Sequence, residues 1–457
     1  MTFPFCSYKS SVVCLTAGLL GLLLATPAQC SGPPNLTNFL SFSGSNGKHP
    51  TSALLLAADG NFYGTTFNGG GSTVGLIFRL TPTGVPTTLV TFSTTNGANP
   101  YAGLLQATDG NFYGTTSSGG ANGDGTVFQL TAGGQFHTLV SFNFTNGASP
   151  KGNLVQGLDG NLYGTTFQGG TNGGYGTVFK ITTGGTLTSL FSFNGANGAY
   201  PLSALALAKD GSFYGTTSSG ASNDLGSVFQ ITTNGQFANL LSFNGTDGAS
   251  PDAGLVLGKD GNFYGTTYAG GDSGAGTVFG MSPAGALTLS VSFETTNGAG
   301  PHAPVIQGAD GNFYGTTEIG GGNNDGTVFE LTPAGVLTTL VSLDPSTGNL
   351  PLAGLTVGPD GNLYGTTQSG DFYGNIFRLG VAMAPVFYPA SLGGGNFLLS
   401  WSSVAGYSYQ LEYVSVLGGT NWTNLGSPII ATSGMSSSSD AMSSVSNRFY
   451  RCVLLDP

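Results

Sequence analysis

Charge is scarce in this chain: only 7% of its 457 residues are Asp, Glu, Lys or Arg, and ten Lys and Arg stand against 21 Asp and Glu. A net charge of −11 with no basic stripe excludes a phosphate-neutralising surface, so nucleic acid is not an expected partner. Anionic membrane surfaces are disfavoured for the same reason. Three histidines, His49, His137 and His302, are too scattered to suggest a metal cluster. No P-loop, dinucleotide fingerprint, G-x-S-x-G elbow or C-x-x-C pair occurs. Long apolar runs are also missing, apart from Val12 to Ala25 near the start. That run follows Lys9, is too short to cross a bilayer comfortably, and precedes "TPAQCSGPP". It reads as a signal peptide, residues 1–28, cleaved after Ala28, and no later segment could span a membrane. The expected location is outside the cytoplasm, extracellular or on the cell surface, with the periplasm as the remaining compartment. Of four cysteines, Cys6 and Cys14 leave with the leader. Cys30 and Cys452 either pair in an oxidising compartment or remain two small apolar side chains.

Glycine is what the chain has most of, 79 residues, recurring at fixed offsets beside Phe, Tyr, Leu and Val. Such glycines read as turn punctuation in an all-β chain. The octapeptide "DGNFYGTT" returns seven times with small changes. The copies begin at Asp59, Asp109, Asp159, Asp210, Asp260, Asp310 and Asp360, spaced by 50 or 51 residues. A period of that size is the mark of a repeat architecture. In the second copy "GLLQAT", "FYGTT", "TVFQLT" and "HTLVSFN" are four strand-like runs separated by turns, which describes one propeller blade. The last copy stops after its third strand, "NIFRLG", while an unassigned strand, "LTNFLSF", precedes the first copy. The expected fold is therefore a seven-bladed β-propeller over residues 35–381, closed by the N-terminal strand, which removes two free edges. A linker, 382–389, then leads to a small β-sandwich at 390–457. Its alternating strands with an early Trp resemble a fibronectin type III module, and the Ser-rich 433–446 is expected to be a loop.

The motif itself reads as structural. Asp-Gly is the strongest short hairpin signal. Phe62 and Tyr63 point to opposite faces of their strand, and Gly64 is expected to admit an aromatic ring from the next blade. Seven Asp-based metal or catalytic sites are the weaker reading, because the D-x-D-x-D-G spacing of calcium loops is absent. "DGNFYGTT…GTVFxLT…LVSFxxxxGxxP" resembles the GloVer tandem repeat of exported bacterial proteins, the choice-of-anchor repeat proteins, over residues 36–380. The resemblance implies export and commonly a C-terminal surface anchor, with no settled biochemical activity. The C-terminal "RFYRCVLLDP" departs from the anchored members, lacking a hydrophobic helix and basic tail.

Function is expected where the repeats differ, on the rim opposite the Asp-Gly turns. Ten of the 21 acidic residues fall in its loops. Candidate binding residues there are His49, Tyr101, Lys151, Tyr200, Asp252, His302 and Glu318. Such side chains suit glycan hydroxyls, by hydrogen bonding and ring stacking, or a protein partner. No cofactor is expected, and calcium is the one ion the rim carboxylates would suit. The leading reading is a non-enzymatic binding or scaffold module for a polysaccharide or surface protein. The alternatives are a hydrolase or lyase acting through rim carboxylates such as Asp252 with Glu294 or Glu318, and a purely structural surface module. An enzyme is disfavoured because no repeat departs from its period by more than one residue.

Overall fold

Short apolar runs between glycine turns fold here into antiparallel strands, and the computed structural model contains no helix among its described residues. These are residues 8–9, 12–16, 19–23, 34–370, 373–381, 385, 387–388, 391–393, 396–405, 407–415, 421–441 and 447–455. Seven four-stranded sheets follow one another along the chain. In the second they are Leu105–Gln106, Phe112–Thr116, Thr126–Leu130 and Phe136–Ser141, in that order across the sheet. The first strand is only two residues long, shorter than the run "GLLQAT" suggests. The seventh sheet takes its fourth strand from Asn35–Ser41, paired with Asn375–Gly380.

Burial explains why the middle strands are so uniform. All five residues of every "FYGTT"-type strand are buried, whereas the outer strands are half-buried to exposed. Each Tyr packs against the first residue of the next repeat's second strand. Tyr63 lies 4.4 Å from Phe112, Tyr264 4.0 Å from Phe313, and Tyr364 4.6 Å from Phe62 of the first repeat. In every repeat but the second, where Thr115 has no such partner, the threonine two residues further on donates to the next repeat's inner carbonyl. Thr65 reaches Ala102 O at 2.8 Å, and Thr366 reaches Ser52 O at 3.1 Å. The seventh sheet thus meets the first as any sheet meets its successor. Each such aromatic pair adds about 0.5–1.5 kcal/mol beyond its buried area.

Gly64 corrects one expectation. A Cβ there would stand 2.6 Å from Phe78 Cζ, and Phe78 is its direct cross-strand partner in the same sheet. The same pairing recurs at Gly114 with Phe128 and at Gly265 with Phe279. The glycine makes room within its own blade, so that a ring can fold over the strand beside it.

The Asp of the motif is a turn organiser. Asp59 accepts hydrogen bonds from the Asn61 backbone and side-chain amides at 3.0 and 2.9 Å and from the Tyr63 hydroxyl at 2.9 Å. Asp109, Asp159, Asp260, Asp310 and Asp360 do the same. In the fourth repeat Ser212 replaces Asn and bonds Asp210, and the Tyr214 hydroxyl donates to Pro283 O instead.

Beyond the seven sheets, Ser391–Gly393, Asn396–Ser402 and Met435–Ala441 form one sheet. Ser408–Val414 and Asn447–Leu455 form the centre of another, and Trp401, Tyr409, Leu411, Tyr450 and Cys452 pack between the two. Met435–Ala441 corrects the expected loop. Its serines and Asp440 alternate in and out with a period of two, a pattern invisible to hydrophobicity because the inward residues are polar. Inward Ser436 donates to Ser403 Oγ and Asp440 accepts from the Tyr450 hydroxyl. Tyr8–Lys9 and Val12–Thr16, within the expected leader, pair with Asn447–Leu455, and Leu19–Leu23 pairs with Val12–Thr16. The rest of that leader, including Ala28, lies outside the described residues, as do Cys30 and much of the expected linker.

The C-terminal sheets dock on the seventh Asp-Gly turn. Gly434 N donates to Pro359 O and Ala405 N to Asp360 O, both at 2.8 Å. A Cβ on Gly361 would lie 2.2 Å from Ser403 O. That attachment engages the seventh Asp-Gly turn, and among the described residues no backbone hydrogen bond runs from these sheets to the loops that end in proline.

Candidate functional site

The loops between blades end in a proline, and the residue before it is left-handed in every repeat. His49, Asn99, Ser149, Tyr200, Ser250, Gly300 and Leu350 have φ between 52° and 60°. For a non-glycine residue this conformation costs about 1 kcal/mol or more. It persists because each backbone amide is pinned to the preceding blade, as in Asn99 N to Val74 O and Tyr200 N to Tyr175 O, both 2.8 Å. The kink sends the residue before the proline outward and the residue after it toward the axis.

The seven residues after the prolines therefore converge. Thr51, Tyr101, Lys151, Leu202, Asp252, His302 and Leu352, with the two small residues following most of them, line one mouth of about 110 Å³. A volume of that size holds a few waters or one functional group, not a whole drug-sized ligand. Four of the seven predicted rim residues, Tyr101, Lys151, Asp252 and His302, line it directly. Glu318 stands close enough to act electrostatically on Tyr101 and Asp252. His49 and Tyr200 precede their prolines and are not in the lining. His49 instead approaches Asn68 at 3.3 Å, with its imidazole held below its usual pKa by burial and by Lys48.

Charge in the mouth is mixed. Asp252 Oδ2 lies 3.7 Å from His302 Nε2. Burial raises the Asp252 carboxyl, His302 and Lys151 act against that, and Glu318 adds to it. Burial lowers the Lys151 ammonium, with Asp252 opposing. That ammonium sits 3.8 Å from the centre of the Phe167 ring and 5.6 Å from that of Tyr101. Among the described residues no ion pair or hydrogen bond holds it. Burial, then Asp252 and Glu318, raise the Tyr101 hydroxyl. Across the described residues no three His, Cys, Asp or Glu side chains gather as a metal site would require.

Sequence reasoning missed Thr51, Leu202 and Leu352, and also Phe167 and Tyr268 beside the mouth. Their signal was positional. The residue after each proline forms one column of seven, which residue-by-residue selection of polar side chains does not reveal.

The model of the Gloeobacter/Verrucomicrobia repeat matches residues 30–209 and 173–377. No curated protein matches the sequence. The backbone is similar to the extracellular domain ascribed to a hybrid two-component system of B. thetaiotaomicron. The TM-score is 0.52 at 12% identity, over 89% of this chain and 53% of that one; this chain thus spans about half the length of that structure. It is also similar to the BP39L lectin from Burkholderia pseudomallei, with TM-score 0.50 and 11% identity, over 87% of this chain and 99% of the lectin. Likeness at this identity is a likeness of fold.

Proposed function

We propose that this chain, which belongs to the Gloeobacter/Verrucomicrobia repeat family, is an exported binding module whose mouth engages glycan. One observation carries the reading. Seven nearly identical blades present a column that varies from repeat to repeat at a single point, where Tyr101, Lys151, Asp252 and His302 meet. Near-constant blades beneath a varied rim are what a rigid scaffold for recognition requires. An aromatic ring for stacking, with donors and acceptors around it, suits sugar rings and hydroxyls. The leader-like start, Val12 to Ala25, supports export, and the C-terminal sheets, a fibronectin-III-like handle in this reading, hold the opposite rim.

Affinity electrophoresis against a polysaccharide panel tests this. Retardation in at least one gel, lost in Tyr101→Ala and Asp252→Asn, is the expected result. No retardation in any gel would remove the reading and leave a purely structural module.

A second reading is a carbohydrate-active hydrolase or lyase. A buried carboxyl raised above its usual range beside a second carboxylate, Asp252 with Glu318, is the arrangement a general acid needs. Reducing-end assays on the same panel decide it: product formation abolished in Asp252→Asn would promote the enzyme, and absence of turnover would exclude it.

A further inference from the structure

The binding surface extends beyond the mouth. Three loop positions surround each junction between blades: the residue after the second strand, the residue before the third-strand glycine, and the residue before the proline. At the junction of the third and fourth repeats all three are aromatic, Phe167, Tyr175 and Tyr200; no other junction has more than one aromatic among these positions, apart from histidine. The Phe167 and Tyr200 rings lie 5.2 Å apart, and those of Tyr175 and Tyr200 5.8 Å apart. All three are half-buried, so part of each ring faces solvent. Neither tyrosine hydroxyl has a hydrogen-bond partner among the described residues.

The tyrosines line a cleft of about 480 Å³ with Asp224 and Ala221, large enough for a ligand where the mouth is not. Ala221 and Asp224 are left-handed, with φ of 62° and 57°. Ala221 occupies a position that is glycine in the first, second, third, fifth and sixth repeats (Gly70, Gly120, Gly170, Gly271 and Gly321). Thr73 and Asn324 are left-handed at the position of Asp224 in the first and sixth repeats, so Ala221 is what sets this loop apart, and strain at that residue is an observation from which a functional hypothesis can start.

Lys151 joins cleft to mouth, its ammonium lying near both the Phe167 and Tyr101 rings. From Tyr101 through Lys151, Phe167 and Tyr200 to Tyr175 no step exceeds 5.8 Å. We infer that mouth and cleft are two ends of one track that takes consecutive sugars of a linear, neutral polysaccharide. This rests on the glycan reading above and adds a second subsite and a ligand class. Neutrality follows from the carboxylates at the two ends, Asp252 at the mouth and Asp224 in the cleft, and from a chain charge of −11, which repels polyanions. The single ammonium of Lys151 donates to hydroxyls instead of neutralising a charged chain.

The test uses the full chain in gels containing galactomannan, mixed-linkage β-glucan or polygalacturonate. Calorimetry follows, with a length series of oligosaccharides from the polymer that retards most. Retardation by a neutral polymer is expected, with affinity rising at least about tenfold from disaccharide to hexasaccharide, the size of one well-placed aromatic contact. Tyr175→Ala and Tyr200→Ala should flatten that rise, so that hexasaccharide binds little better than disaccharide. Tyr101→Ala should weaken every length. Tyr373→Ala, in the same column as Tyr175 at the seventh junction, should behave as wild type, and thermal melting should show all variants folded. A rise that persists in both cleft variants, or is absent from the wild type, overturns the track while the loss in Tyr101→Ala keeps the mouth reading. Retardation by polygalacturonate alone overturns the neutral ligand. No binding by any variant or polymer overturns both.

Discussion

Tyr364 of the last repeat places its ring 4.6 Å from Phe62 of the first, the contact that Tyr63 makes with Phe112 and Tyr264 with Phe313. The ends of the repeat array, 302 residues apart in sequence, are thereby joined as consecutive blades are. Phe62→Ala and Phe263→Ala should consequently destabilise alike, by about 3–5 kcal/mol each. Denaturant unfolding checks this. A markedly smaller loss for Phe62→Ala would mean that the first and last blades are not packed together in solution.

Gly265 faces the Phe279 ring across the strand pair, and an added Cβ would lie 2.7 Å from Phe279 Cζ and 2.8 Å from Leu255 Cδ2. Gly265→Ala is therefore expected to cost about 1–3 kcal/mol by overpacking. Adding Phe279→Leu should recover part of that cost. A double-mutant cycle showing simple additivity would contradict the pairing.

The Asp-Gly turns predict how stability responds to pH. Burial pushes the Asp260 carboxyl up, but hydrogen bonds from Tyr264 and Asn262 outweigh it and the net shift is downward. A lowered carboxyl pKa stabilises above the unfolded value of about 3.9, and that contribution is lost as pH falls through the folded one. Burial, then the bond to Asp260, raises the Tyr264 hydroxyl to about 12, so its contribution is present below the unfolded value near 10 and is lost as pH rises toward 12. Melting temperature should accordingly stay level from pH 5 to 9 and fall on both sides. Asp260→Asn should cost about 1 kcal/mol at pH 7, less than a buried charged hydrogen bond because the carboxylate is exposed, and should shallow both flanks.

Asp252 has the opposite sign. Its carboxyl is raised, chiefly by burial, so ionising it opposes folding above the unfolded pKa. Asp252→Asn is expected to leave melting temperature at pH 7 unchanged or higher while abolishing polysaccharide retardation. Such a trade of stability for function marks a site. A variant that both melts lower and binds normally would make Asp252 structural.

Leu350 holds φ 54° at a position where the second repeat has Asn99. Leu350→Asn should stabilise by roughly 1 kcal/mol, because Asn tolerates the left-handed region better. Chemical denaturation measures it directly.

The blade was largely legible because its signals are local. Asp-Gly fixes a turn, "FYGTT" fixes a strand, and both recur. Phe112–Thr116 and Asn375–Gly380 fall where the pattern puts them. The shortness of Leu105–Gln106 was hidden, since Gly103 and Leu104 read as strand but lie outside the ladder. Whose ring fills the space above Gly64 was hidden too, because nothing local distinguishes a same-sheet Phe from one in the next blade. In the site, the rim was legible from variation near each proline. The division of that rim was not: the left-handed residue before the proline sends His49 and Tyr200 away from the axis while Tyr101 and His302 turn toward it. That division depends on backbone handedness, which Tyr or Leu side chains do not advertise.

A crystal structure of the protein soaked with the hexasaccharide that binds best would test the central claim most directly. The account predicts sugar density against Tyr101 and Lys151 on the rim opposite the Asp-Gly turns. Density lodged instead at Asp59, Asp109 or their equivalents would contradict it, by making the repeated motif the site and the varied mouth its scaffold.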